Sequence, residues 1–142
     1  MLLSNELLFL TAEKTALADA QGGFARQVAV LALEEPSSAA NRDFLDKVLT
    51  AAQLNMAKDA LLAEIPSGEA RAIAPDLMEH LPKHILVFGI SPIQLGLSFE
   101  MPAYQPITFY GCNWLFADKL SDLESDKVKK TQLWTALKQM FL

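Results

Sequence analysis

The chain has 142 residues, a mass of 15.6 kDa, 51% hydrophobic content and a formal net charge of −5. That size suits one domain with a buried core, and that apolar fraction argues against intrinsic disorder. The acidic balance opposes nucleic acid outside a local basic patch, and a single cysteine excludes an intrachain disulfide and a cysteine-only zinc or iron–sulfur site.

Residues 1–23 open with Leu2, Leu3, Leu7, Leu8, Phe9 and Leu10 and read as a helix or an extended arm. They lack a basic leader and carry Glu6, a poor match to a signal peptide. No apolar run approaches the roughly 20 residues of a membrane span. The expectation is a soluble, cytoplasmic chain with no membrane partner. Val28–Leu33 is short and continuously apolar and reads as a buried strand. After the loop Glu34–Ser38, Asn41 is expected to cap a helix. Phe44, Leu45, Val48, Leu49 and Ala52 fall on one face of it, with Arg42, Asp46 and Lys47 facing out. Lys58–Ile65 reads as a second strand, stopped by Pro66-Ser67-Gly68. Ile73, Leu77 and Leu81 predict a helix with Pro75 in its first turn and Pro82 at its end.

His84–Phe88 is the third strand, and Ser91-Pro92-Ile93-Gln94 carries the pattern of a capping box ahead of a short helix. Pro106–Tyr110 is the fourth strand, while Trp114-Leu115-Phe116 extends the sheet or lines its edge. Ser121 or Ser125 is expected to cap the last helix. There Val128, Leu133, Leu137 and Phe141 face the core with Trp134 beside them, and Lys127, Lys130 and Lys138 point away. This alternation predicts one three-layer α/β domain over residues 1–142, with a mostly parallel central sheet of about four strands and helices on both faces.

The order of these segments resembles the uracil-DNA glycosylase superfamily. The C-terminal half is similar to the psi subunits of the bacterial DNA polymerase III clamp-loader complex, a non-catalytic branch of that fold. The residues that carry the likeness are Ala117-Asp118-Lys119-Leu120-Ser121-Asp122-Leu123, then Leu133-Trp134-Thr135-Ala136-Leu137, with Phe44-Leu45, Val48-Leu49, Ala51 and Leu54 further back. The superfamily's water-activating loop falls on Glu34–Ser38, and its leaving-group histidine falls on Phe116, with Ala117 where a proline would lie. Phenylalanine offers no donor to a developing oxyanion. The resemblance therefore implies a pseudo-enzyme acting as a protein–protein adaptor in DNA replication or repair. The alternatives are a divergent glycosylase or nucleic-acid binder, and a binder of small anions or nucleotides.

The residues nominate several sites. Glu34, Glu35 and Asp43 are candidates for a general base, against a plain solvated loop. Cys112 would need His80 or His84 beside it to act as a nucleophile, and otherwise reads as a buried structural thiol. Gly89, Ile90 and Ser91 lie at a strand's carboxyl end and are candidates for an anion. Lys119, Lys127 and Lys130, with Lys129 and Lys138 nearby, are candidates for phosphate contacts, against a solvated helix face. Trp114, Phe116, Tyr104 and Phe109 either join the core or stack on a base or a partner. Leu7, Leu8 and Phe9 are candidates for docking a protein partner. No metal or cofactor is expected.

Overall fold

The computed structural model describes residues 23–24, 26–36, 38–66, 69–73, 81–97 and 102–141. The elements run β1 (Val28–Leu33), α1 (Ser38–Ala51), α2 (Met56–Asp59), β2 (Ala60–Ile65), β3 (His84–Phe88), a 3-10 turn (Ile93–Leu95), β4 (Ile107–Phe109), β5 (Cys112–Ala117), α3 (Leu120–Ser125) and α4 (Lys127–Phe141).

The described strands form one five-stranded sheet in the order β2-β1-β3-β5-β4. β2, β1, β3 and β5 are mutually parallel, and β4 runs antiparallel to β5 at the edge. Register explains why the middle of each parallel strand is apolar. Leu62, Val30, Leu86 and Leu115 stand side by side and form a row on one face. One residue along, Ala63, Leu31, Val87 and Phe116 form a row on the other. Alternate residues point to opposite faces, so a sheet covered on both sides leaves no polar position in the middle of a strand.

Leu45 and Leu49 of α1, Leu120 and Leu123 of α3, and Leu133 and Leu137 of α4 all pack on the first face. The sheet is mostly parallel and has five described strands against the expected four or so, and the architecture is consistent with the expected three-layer α/β domain. The second face is covered, among the described residues, by Ile73, Ile90, Leu95 and Leu97 from the 3-10 turn and its flanks. The segment around Ile73 is tied to that turn by Arg71 N–H to Gln94 O (2.7 Å) and Ile73 N–H to Leu95 O (3.1 Å). Ile73 is therefore not helical, Leu81 has φ +52°, and Pro75 and Leu77 lie outside the described residues.

Several element ends differ from expectation for local reasons. Residues 56–59 form a helical turn rather than the start of β2, because Asn55 Oδ1 accepts from Lys58 N–H at 3.0 Å and Asp59 returns a bond to Asn55 N–H at 2.8 Å. The expected fourth strand is a hairpin whose two-residue loop, Tyr110-Gly111, has φ of +52° and +72°, the signs a primed turn requires. α4 is capped by Asp126, not by Ser121 or Ser125: its Oδ1 accepts from Val128 N–H (2.9 Å) and Lys129 N–H (3.2 Å). That places Val128 in the first turn facing solvent, 68% exposed, which corrects its assignment to the core. Asn41 lies inside α1 and is buried, so it is not the cap.

Candidate functional site

In an open parallel sheet, ligands favour the carboxyl edge where the strand order reverses. Here that point lies between β1 and β3, flanked by the Glu34–Glu35 loop and by Gly89–Ser91. Gly89, at φ +77°, wedges there: a Cβ on it would lie 2.7 Å from Lys119 Cβ and 3.2 Å from Leu33 Cβ. Its N–H donates to Ala117 O at 2.9 Å. Glu35 faces two helices. It accepts from Asn41 Nδ2 (2.9 Å), from Ser121 Oγ (2.5 Å) and from Ser121 N–H (3.4 Å), linking α1 to α3. Three donors from two helices give this carboxylate a structural role, and Glu34 and Asp43 are exposed.

A polar hollow of about 330 Å³ opens beside this point, lined by Gly89, Ile90, Ser91, Asp118, Lys119 and Asp122. The structure thus brings the three candidate anion residues together, but their chemistry points elsewhere. Ser91 N–H is directed to Gln94 Oε1 (3.3 Å) and Gln94 N–H to Ser91 Oγ (3.4 Å), the expected capping box. Ile90 is buried. Two carboxylates share the hollow with one lysine, and Lys129 reaches Asp118 at 3.4 Å. Tyr104 donates its hydroxyl to Asp118 Oδ2 at 2.5 Å. Burial first, and that bond second, push the phenol far above its ordinary range, so it remains a donor.

Cys112 is buried and donates to Tyr110 O at 3.4 Å, and burial raises its thiol pKa, the opposite of what a nucleophile needs. His84 contacts Asn113 and the Phe141 ring instead, and His80 lies outside the described residues. Trp114 is 0% and Phe116 6% exposed; their rings stack at 6.1 Å on the second face of the sheet. Both are core residues, which corrects their reading as partner anchors. Phe109 belongs to β4. Leu7, Leu8 and Phe9 lie outside the described residues. The lysines do not pool: Lys119 sits against Gly89, Lys130 lies over the Phe44 ring at 5.8 Å, and Lys127 is exposed at the start of α4. Among the described residues no cluster of His, Cys, Asp and Glu is fit to hold a metal, and no helix is long and apolar enough to cross a membrane.

A different feature emerges on the helical face. α1 and α4 leave between them a groove of about 190 Å³ whose wall is Phe44, Val48, Ala51, Leu133, Trp134 and Leu137. Lys47 and Lys130 flank it, and Lys138 lies 5.8 Å over the Trp134 ring. Phe44, Val48 and Trp134 are only half-buried. Their periodicity marks them as inward-facing, but sequence alone does not show that the two helices stand apart there.

No protein-family model matches the chain, and no curated protein matches it.

Proposed function

We propose that this chain is a non-catalytic protein–protein adaptor of DNA replication or repair, similar in kind to the psi subunit of the bacterial polymerase III clamp loader. The α1–α4 groove carries this reading: it is an apolar hollow on the surface, and the described residues that line it include no acid–base pair. The strand ends supply further support. Phe116, standing where the resemblance would put a leaving-group histidine, is a buried strand residue. Glu35, in the loop that would activate water, is engaged by Asn41 and Ser121.

Affinity capture with the tagged full-length chain, followed by mass spectrometry, is expected to recover a replication or repair protein from the host lysate. Recovery of none counts against the adaptor, and release of uracil from a uracil-containing duplex by the purified chain defeats the non-catalytic reading.

A further inference from the structure

We propose that the α1–α4 groove receives one apolar face of an acidic amphipathic helix belonging to a partner protein; this rests on the adaptor reading above. The groove is smaller than the several hundred cubic ångströms usual for a small-molecule site, and its wall is almost wholly carbon. It suits a few inserted side chains. Because it runs between two helices, it offers no row of open backbone groups to an extended strand. Anchors spaced one helical turn apart match it instead.

The charge around the groove selects the partner. The chain has 17 acidic and 12 basic residues, yet the two charged residues among the described ones that line this groove are both lysines, Lys47 and Lys130. Lys130 Nζ lies 5.8 Å over the Phe44 ring and Lys138 Nζ 5.8 Å over the Trp134 ring, which sets both ammonium groups beside the groove's aromatic wall. No carboxylate is among the described residues that line it. Such a rim attracts glutamate and aspartate flanking an apolar stripe and repels a basic helix. It also opposes a second copy docked groove to groove, since a two-fold axis would set these lysines against their own equivalents.

The test titrates the full-length chain into a fluorescein-labelled peptide of roughly 18 residues, about 27 Å long as a helix. The peptide carries Leu and Phe at i, i+3, i+4 and i+7 and Glu elsewhere; its twin carries Lys in place of Glu. Fluorescence anisotropy should show the acidic peptide binding at least about tenfold more tightly than the twin. Trp134→Glu should weaken the acidic peptide by about tenfold or more, as loss of a central interface aromatic does. The double variant Lys47→Glu, Lys130→Glu removes the Lys130 contact with the Phe44 ring as well as the charge; with its folded circular-dichroism spectrum retained, it should reverse the preference. Equal binding of the two peptides, binding of neither, or no reversal overturns the proposal. So does a dimer in light scattering that Trp134→Glu abolishes, which would assign the groove to a second copy. So does tighter binding of the acidic peptide by Leu7→Glu, Phe9→Glu, which would assign it to the chain's own first residues. A protein captured from lysate that is retained by both groove variants leaves the adaptor standing and removes the groove from it.

Discussion

His84 shows how one side chain ties the start of β3 to the end of α4. Its ring lies 4.6 Å from that of Phe141, and its Nδ1 sits 3.5 Å from Asn113 Nδ2 on the neighbouring strand. Burial, with Arg26 and Lys83 adding to it, holds the imidazole pKa below its ordinary 6.5. The fold therefore prefers the neutral ring. Below pH 6.5 the unfolded chain takes up a proton that the folded chain resists, so this contribution is complete above 6.5 and is lost as pH falls through the folded value. Carboxylates also titrate in acid, so the informative quantity is a difference. The melting temperature of the parent should fall more steeply below pH 6.5 than that of His84→Gln; parallel profiles would show that the imidazole contributes nothing to acid sensitivity. Glu35 has the opposite character. It is an exposed-loop carboxylate by sequence, but three donors from α1 and α3 make it a strut, and no pattern of neighbouring residues discloses a partner 86 positions away.

The last two helices meet at a single residue, Asp126, whose backbone closes α3 and whose carboxylate opens α4. Losing it leaves two N–H groups at the head of α4 without their acceptor and removes a negative charge from the positive end of the helix dipole. Asp126→Ala should cost about 1 kcal/mol, within the roughly 0.5–2 kcal/mol span of such caps, and Asp126→Asn much less. Urea unfolding of the two variants checks this; equal losses would place the effect in charge rather than in the cap. Elements with strong local signals were readable from residue order. Val28–Leu33 and His84–Phe88 occur with the predicted bounds, because a run of apolar residues buried on both faces has no competing reading at that length. The β4–β5 hairpin was readable only in part. Its turn places a tyrosine, Tyr110, at positive φ, where asparagine or aspartate would have announced it. The cap was misplaced because two serines and two aspartates fall within six residues, and each has the chemistry of a cap.

The assembled sheet decides which aromatic residues are available for recognition. Trp114 pairs with Ile85, and Phe116 with Val87, so the registers that build the second face also bury both rings. Trp134 and Phe44 stay half-exposed because they belong to helices that cover the other face from outside. Sequence pattern alone places all four among apolar neighbours, two on a strand and two on helices, and cannot rank them, which is why the groove was not visible in the sequence. The same assembly disperses the lysines nominated for phosphate. Lys119 is held against Gly89, Lys129 pairs with Asp118, and Lys130 lies on Phe44, while Asp118 and Asp122 share the polar hollow at the strand ends. A net charge of −5 adds an unfavourable long-range field. Phosphate binding needs several cations on one surface, and each engaged phosphate adds close to one unit to the salt slope. Binding of a fluorescent single-stranded or duplex oligonucleotide should therefore be no tighter than about 10⁻⁴ M at physiological ionic strength, the weak end of non-specific association. Lys119→Ala, Lys127→Ala and Lys130→Ala should leave it unchanged. A micromolar complex that weakens steeply with salt, and that these substitutions abolish, would show that the lysines act together on nucleic acid and would shift the adaptor's contacts from protein to DNA.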